Sequence, residues 1–220
     1  MLNAIDNELF HTPVLADPLD EETRFDLIIH GTITERYGHD ILIKAMAEVV
    51  QQAPHIHLTI AGKGEWEDYL KDLAAKLELL DVVHFAGYLS VDDLLVSLRA
   101  ADCGVIPLPV NAETDVIHTF KMQEYMALGI PVIASRTKAV EAYYSDNCVR
   151  FFDSPDVSAL AEAILDLYHD KYKRHTLAYN ALEMYHQYSA PKQRANFAKC
   201  VDQLLSRTVN GRYIVNTQEQ

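Results

Sequence analysis

Apolar positions along the chain follow two alternating spacings, which predict strands and helices in turn. Short apolar runs, typical of strands covered on both faces, fall at 25–30, 56–61, 82–86, 103–106, 131–135 and 149–152. Between them apolar residues recur at helical spacing, as in Ile41, Leu42, Ala45, Met46 and Val49. Helices are predicted at 39–52, 65–79, 91–101, 119–128, 136–145, 156–169, 171–188 and 191–207.

This alternation of strands with long helices predicts the fold class. Each strand–helix–strand unit brings two strands side by side in parallel. We expect an α/β protein with a doubly wound, mainly parallel six-stranded sheet and helices on both faces. Such sheets bind ligands at the carboxyl ends of their strands. The loops predicted at that edge are 31–38, 62–64, 87–90 and 107–118.

The ends of the chain differ in composition from its middle. Residues 1–23 are acidic, contain two prolines and are predicted to be a linker, with Phe10 packing locally. Residues 24–190 are predicted to form the ligand-binding domain. A closing helical segment is expected at 191–209, since Pro191 suits the first turn of a helix, and a polar tail at 210–220.

The stretch from Thr119 to Ser135 carries the clearest local signals. Thr119 is a candidate N-cap, Gly129 suits the end of a helix, and Pro131 prevents its continuation. Lys121 and Glu124 share one face of this helix. A lysine in the first turn opposes the helix dipole, and a bound phosphate would remove that objection. The plainer interpretation is that both charged side chains are simply solvated.

The glycine loops offer further candidates for anion binding. Gly31 and Gly38 bracket Thr32, Arg36 and Tyr37, and a guanidinium pairs well with a phosphate. A turn that uses glycine only for its geometry fits equally well. Two histidines, His30 and His118, adjoin the two phosphate-like loops. In the loop after the third strand, Gly87-Tyr88 would suit a flat base, and a plain connecting loop would look the same.

Composition excludes several classes of function. A net charge of −13 argues against a nucleic-acid groove. No apolar run is long enough to span a membrane, and no secretory signal is present. Three scattered cysteines indicate a reducing compartment without disulfides, and His55 with His57 is a weak metal candidate, so we expect no metal site. No dinucleotide fingerprint, Walker motif or nucleophile elbow occurs.

A family resemblance adds to this picture. The succession HGTITERYG, LTIAGKG, VHFAGYLS, ADCGVIPLP, KMQEYMALGIPVIASR and DVSALAEAILDLYHD closely resembles the carboxyl-terminal, donor-binding half of group 1 (family 4-like) retaining glycosyltransferases with the GT-B fold. It runs from about His30 to about Tyr188. The segment from Asn3 to Phe10 resembles the piece that joins the two Rossmann-like halves. The resemblance therefore implies that the chain begins at the hinge, without the amino-terminal acceptor domain.

The resemblance assigns roles to individual residues. It implies that Gly87, Tyr88 and Leu89 line the base and that Glu124 accepts hydrogen bonds from the ribose. The helix start around His118, Thr119 and Phe120 would face the diphosphate, beside Lys121. The remaining donor contacts would come from Gly31, Thr32, Tyr37 and Gly62. Glu124, Lys121 and Arg36 are the candidate catalytic residues.

Two departures from the family pattern bear on activity. In family members an arginine follows the glycine that corresponds to Gly31, and a lysine precedes the one that corresponds to Gly38. This chain has Thr32 and Tyr37 at these two positions. The first of the family's two glutamates would fall at Val116, and Glu113 and Asp115 are the nearby alternatives. A lysine three residues before the retained glutamate, as in Lys121 and Glu124, occurs in a subgroup. We therefore expect a subgroup variant.

The resemblance implies transfer of a sugar from a UDP- or GDP-linked nucleotide-diphospho-sugar to an acceptor hydroxyl, without a metal ion. Residues 1–220 alone would bind the donor at best. The alternatives are a non-catalytic nucleotide-binding or scaffold module, the donor subunit of a two-chain transferase, and a nucleotide-sugar epimerase. We expect a cytoplasmic protein in polysaccharide biosynthesis. It would reach the inner face of the membrane only through the absent half.

Overall fold

Six parallel strands form one sheet, as the sequence predicts, and their order is β3-β2-β1-β4-β5-β6. The structure is a computed structural model that describes residues 5–6, 8–10, 13, 24–206, 208–209 and 212–213. The strands are β1 (Phe25–His30), β2 (Ile56–Ala61), β3 (Val83–Gly87), β4 (Cys103–Ile106), β5 (Val132–Ser135) and β6 (Arg150–Phe152). The helices are α1 (His39–Val49), α2 (Glu67–Lys76), α3 (Val91–Arg99), α4 (Phe120–Ala127), α5 (Lys138–Glu141), α6 (Val157–His169), α7 (Lys171–Tyr188) and α8 (Ala190–Ser206).

The sheet divides the core into two layers. Alternate side chains of β1 point to opposite faces, so Phe25, Leu27 and Ile29 pack with α1, α2 and α6. Ile28 packs on the other face with residues of α3, α4, α5 and α7. Both faces of the sheet are therefore covered by helices, and the doubly wound α/β fold is confirmed.

The helix α4 is tied to the centre of the sheet by Tyr125. This side chain is fully buried, and its hydroxyl donates to the carbonyl oxygen of Ile28 at 3.3 Å. Its ring covers Gly104 of β4, where a Cβ would come within 2.5 Å of the ring. Gly129 has the expected left-handed backbone, with a φ of 71°, and ends the helix before β5. These contacts place the start of α4 at the carboxyl edge of the sheet.

Some predicted boundaries are wrong. The helix expected at 136–145 covers only Lys138–Glu141. Thr137 caps its start by accepting from the N–H of Val140, and the bond from Tyr143 N to Val140 O already turns the chain out of the helix. The last helix ends at Ser206, and the pair β7 (Thr208–Val209) and β8 (Arg212–Tyr213) forms an antiparallel ladder that was not predicted.

The described part of the predicted linker packs against the domain. Ile5 and Phe10 are buried in the layer that contains α4 and α7. Phe10 also donates its N–H to the carbonyl oxygen of Asp6 at 3.1 Å. The other residues predicted as linker, except Glu8, Leu9 and Pro13, lie outside the described residues, as does most of the predicted tail.

Candidate functional site

The strand order reverses between β1 and β4, which opens a crevice at the carboxyl edge of the sheet. The chain leaves β1 at His30 into the loop that begins with Gly31, and it leaves β4 into the segment that leads to α4. Two adjoining cavities lie at this point. They share His30, Gly31 and Thr32, so they form one continuous recess.

The two cavities differ in their walls. The first, of about 250 Å³, we call the glycine-loop cavity; its lining is His30, Gly31, Thr32, Ala61, Gly62, Lys63, Tyr88, Leu89 and Leu94. The second, of about 360 Å³, we call the helix-end cavity; its lining is His30, Gly31, Thr32, Tyr37, Ile117, His118, Thr119, Phe120, Lys121 and Glu124. The first cavity is thus walled largely by backbone and apolar side chains, with Lys63 as the one lysine among its described residues, and the second contains the polar groups at a helix start.

Backbone hydrogen bonds hold the glycine loops together. The N–H of Gly31 donates to the carbonyl oxygen of Ala61 at 2.8 Å, and that of Gly62 donates to Gly87 at 2.7 Å. The N–H of Ile33 donates to the carbonyl oxygen of Lys63 at 3.0 Å. The floor of the recess is therefore formed by main chain from the ends of three neighbouring strands.

The side chain of Lys121 lies across the first glycine loop. A Cβ on Gly31 would be 3.0 Å from both Cε and Nζ of Lys121. The ammonium also lies 4.4 Å from the centre of the Tyr37 ring. Burial lowers the pKa of Lys121 and Arg36 lowers it further, while Glu124 opposes the shift. Lys121 is therefore not a solvated surface charge, which removes the plainer interpretation of this residue.

Glu124 faces His30 across the recess. Glu124 Oε2 lies 3.1 Å from His30 Nε2, and the two side chains are only 17% and 7% exposed. Neither atom forms a hydrogen bond of good geometry with any residue that the structure describes. The edge of the Tyr125 ring meets the His30 ring at 5.4 Å and supports it from below. Glu124 therefore lines the recess with a carboxylate whose Oε2 is buried against His30.

Thr119 occupies the N-cap position of α4 but does not cap the helix. Its backbone is extended, as the position requires, yet its Oγ1 is buried without a hydrogen-bond partner among the described residues. The predicted hydrogen bond from a helix N–H to this hydroxyl oxygen is therefore wrong. The first N–H groups of a helix have no intrahelical partner, so those of α4 suit an anion.

Arg36 lies outside both cavities. Its guanidinium pairs with Glu113 at 3.2 Å, bonds to the Tyr37 hydroxyl at 3.1 Å and is half exposed. The hydrogen bonds that the guanidinium donates to Tyr37 and Glu113 raise the pKa of Arg36. Tyr37 itself lines the helix-end cavity, where the family pattern has a lysine, and the ammonium of Lys121 lies over its ring. The cation nearest to the Tyr37 ring is thus Lys121, a residue of α4.

The carboxylates near Val116 do not reach the recess. Val116 is 77% exposed, and neither it, Glu113 nor Asp115 lines either cavity. Glu113 is held by Arg36, and Asp115 is held by both the ammonium and the N–H of Lys138. Within the described residues, Glu124 is therefore the only carboxylate on the walls of the two cavities.

The histidines near the recess differ in environment. His39 is fully buried, and burial together with the charge of Lys121 lowers its pKa to about 4. Burial also lowers the pKa of His118, whose Nε2 lies 3.1 Å from the Tyr144 hydroxyl. Neutral imidazoles at these places leave Lys121 as the main positive charge of the helix-end cavity.

The structure brings together most of the residues predicted from sequence. Gly31, Thr32, Tyr37, Gly62, Tyr88, Leu89, His118, Thr119, Phe120, Lys121 and Glu124 all line the recess. Gly87 lies directly beneath it through its bond to Gly62, and Arg36 lies outside it. Sequence reasoning left out Ala61, Lys63, Leu94 and Ile117 from the site. Of these, only Lys63, between two glycines, carried a signal that could have been used.

Two absences hold for the part of the chain that the structure describes. No group of three His, Cys, Asp or Glu side chains is placed to hold a metal ion. No described helix is both long and apolar enough to cross a membrane.

Comparison with known proteins gives consistent results. The sequence profile of "Glycosyl transferases group 1" matches residues 15–184. A GDP-mannose-dependent monoacylated alpha-(1-6)-phosphatidylinositol monomannoside mannosyltransferase of Corynebacterium glutamicum is 29% identical over 147 residues, which are 66% of this chain and 38% of that protein. The putative colanic acid biosynthesis glycosyltransferase WcaL of Escherichia coli is 27% identical over 64% of this chain. The chain spans 38% and 36% of the lengths of these two relatives.

Solved structures share the fold. The carboxyl-terminal domain of the group 1 glycosyl transferase LpcC from Francisella tularensis superposes with a TM-score of 0.69 at 18% identity, covering 85% of this chain and 100% of that one. Anabaena HepE, solved in complex with UDP and glucose, gives a TM-score of 0.74 at 21% identity over 92% of this chain and 56% of that one. Identities this low establish the common fold alone.

Proposed function

Because the chain belongs to the group 1 glycosyltransferases, we propose that it binds the nucleotide-diphospho-sugar donor in a retaining transfer of a sugar to an acceptor hydroxyl. The observation that carries this proposal is the pair of joined cavities at the reversal of strand order. One has apolar walls and the exposed ring of Tyr88; the other has a helix start and Lys121. Their contrast matches a ligand with a flat base at one end and a diphosphate at the other.

We propose one orientation of the ligand in the recess. The base would lie in the glycine-loop cavity against Tyr88 and Leu89, where no described side chain is anionic. The ribose would lie by Glu124, which lines the recess and whose carboxylate can accept hydrogen bonds from hydroxyl groups. The diphosphate would lie in the helix-end cavity, within reach of Thr119, Lys121 and the first N–H groups of α4.

The chemistry that these groups support is departure of the diphosphate. Negative charge develops on the leaving phosphate as the bond to the sugar breaks, and the Lys121 ammonium and the start of α4 are already oriented to stabilise it. No side chain in the recess is placed as an activated nucleophile. This supports a route in which the leaving phosphate accepts the acceptor's proton on the same face of the sugar. We propose that the acceptor is bound by a domain outside these 220 residues and that no metal ion is required.

Glu124→Gln tests the ribose assignment. The change keeps the shape of the side chain but replaces a carboxylate acceptor with a neutral amide. Hydrogen bonds to charged groups are worth about 1 kcal/mol more than neutral ones, so we expect about a fivefold loss of affinity for UDP or GDP. Calorimetric titration of the 220-residue chain measures it.

A matched control for this variant is Glu162→Gln, on the exposed face of α6 and away from the recess. Its affinity for the nucleotide should equal that of the unmodified chain. Unchanged affinity in Glu124→Gln would remove Glu124 from the ribose site.

A second candidate function is a nucleotide-binding module without catalysis of its own. The observation that favours it is the lack of a second carboxylate, since Val116, Glu113 and Asp115 all lie outside the cavities. A transfer and donor-hydrolysis assay on the longest natural product that contains this chain separates the two functions. Sugar transfer with retained anomeric configuration supports the first. Nucleotide binding with neither transfer nor hydrolysis supports the second.

A further inference from the structure

Lys63 lines the glycine-loop cavity, and the proposed function gives it no role. It lies between Gly62 and Gly64, just after β2, and its side chain runs towards the end of β3. Its Cε would be 3.9 Å from a Cβ on Gly87. The other side chains of this cavity are mostly apolar, so Lys63 is its only lysine or arginine among the described lining residues.

Among the residues that the structure describes, none forms an ion pair or hydrogen bond with the ammonium of Lys63. Lys44, Lys71 and Lys138, by contrast, each pair with a carboxylate. A lysine ammonium only donates hydrogen bonds, so Lys63 offers three donors and no acceptor at the rim of the cavity.

We propose that Lys63 selects a base with a keto oxygen, uracil or guanine, over one with an amino group, cytosine or adenine. This inference rests on the proposed function, in which the base occupies the glycine-loop cavity. Uracil O4 and guanine O6 are acceptors, whereas cytosine N4 and adenine N6 carry donors at the equivalent positions. A donor-only side chain bonds the first pair and leaves an unmade bond beside the second.

The position of the cavity supports a base contact over a phosphate contact. The helix-end cavity already holds the groups suited to a diphosphate, namely Lys121 and the start of α4. Lys63 lines the other cavity, together with the ring of Tyr88, which is 77% exposed and free to stack. The two lysines therefore act on opposite ends of the ligand.

The pair UDP and CDP gives the sharpest test, because the two ligands share ribose and diphosphate and their bases differ only in the group at position 4 and in the hydrogen on N3. We expect the unmodified chain to bind UDP about tenfold more tightly than CDP. In Lys63→Met this ratio falls towards one, mainly through weaker binding of UDP. Calorimetric titration gives both constants, and GDP with ADP provides the corresponding purine comparison.

Three variants make the outcome specific. Lys63→Arg keeps a donor and should keep the preference for UDP. Lys121→Met should lower the affinities for UDP and for CDP by the same factor, since both ligands carry the diphosphate. Lys76→Met, on the exposed face of α2, should change neither constant.

The proposal is overturned if Lys63→Met lowers the affinities for UDP and CDP by the same factor. That result would assign the ammonium to the diphosphate that both ligands share. It is also overturned if the unmodified chain binds the two equally well. Failure of the unmodified chain to bind any of the four nucleotides contradicts the proposed function itself and this inference with it. Since Lys63 is exposed, its variants should unfold at the same temperature as the unmodified chain, which excludes misfolding as the cause.

Discussion

Lys121→Met lowers the affinity of the chain for UDP or GDP about 10- to 100-fold, since a charge-assisted hydrogen bond contributes about 1.5–3 kcal/mol. The ammonium lies over Gly31 and the Tyr37 ring, inside the helix-end cavity. It stands where a diphosphate would meet the start of α4. Calorimetric titration measures the loss, with Lys76→Met as the control that leaves binding unchanged.

The pH dependence of binding tests the same residue independently. Burial lowers the pKa of Lys121, so the ammonium loses its proton at a pH below the 10.5 of an ordinary lysine. Affinity for the nucleotide should therefore fall as the pH rises through that lowered pKa. Lys121→Met should show no such fall. A decline of equal steepness in both proteins would exclude Lys121 as the titrating group.

The stability of Lys121→Met should move in the opposite direction to its affinity. A pKa that is lower in the folded than in the unfolded chain means that the protonated form is disfavoured by folding, so this group destabilises the fold at neutral pH. Removing the charge should leave the free energy of unfolding unchanged or raise it. A large loss of stability would instead show that Lys121 holds the loops together.

Gly62→Ala lowers the free energy of unfolding by about 3 kcal/mol, because backbone strain and steric overlap add. Gly62 has a φ of 149°, a conformation that only glycine adopts readily. A Cβ here would also clash with the carbonyl oxygen of Gly31. The two loops that form the floor of the recess would have to separate. Urea unfolding, followed by the fluorescence of the single tryptophan, Trp66, measures the loss.

Gly87→Ala is the matched comparison. Gly87 is also left-handed, with a φ of 67°, but the nearest atom to a Cβ there is Lys63 Cε at 3.9 Å. Only the backbone strain remains, so we expect the free energy of unfolding to fall by about 1 kcal/mol. Equal losses in the two variants would show that the close approach of Gly62 to Gly31 does not determine the effect.

The spacing of apolar residues predicted much of the fold, because strands and helices depend on residues that are close together in the sequence. Apolar runs and helical spacing predicted all six strands of the main sheet and the order of the helices between them. Gly129 and Pro131 predicted the end of α4 from backbone geometry alone. The helix at Lys138–Glu141 was overestimated, because its end is determined by turn hydrogen bonds that leave no periodic signal.

The sequence predicted the site residues well where they adjoin a glycine in a strand-to-helix loop, and less well elsewhere. The glycines after β1 and β2 indicated which backbone approaches a ligand, and both line the recess. Arg36 carried the same kind of signal, yet Glu113, distant in sequence, holds it outside the cavities. The hydroxyl of Thr119 has the right position for a cap and does not make the bond.

The sequence by itself determined the parallel sheet, the edge at which we propose that a ligand binds, and the family, because apolar spacing, glycines and motifs are local properties. Only the tertiary structure decided which charges enter the recess. Lys121 reaches the Gly31 loop, and Glu124 meets His30, because the buried Tyr125 fixes α4 against β1 and β4. Lys63 remains unpaired because no described carboxylate is folded against it. Which charged side chains pair depends on packing between segments that are distant in sequence. The spacing of residues along the chain does not predict that packing.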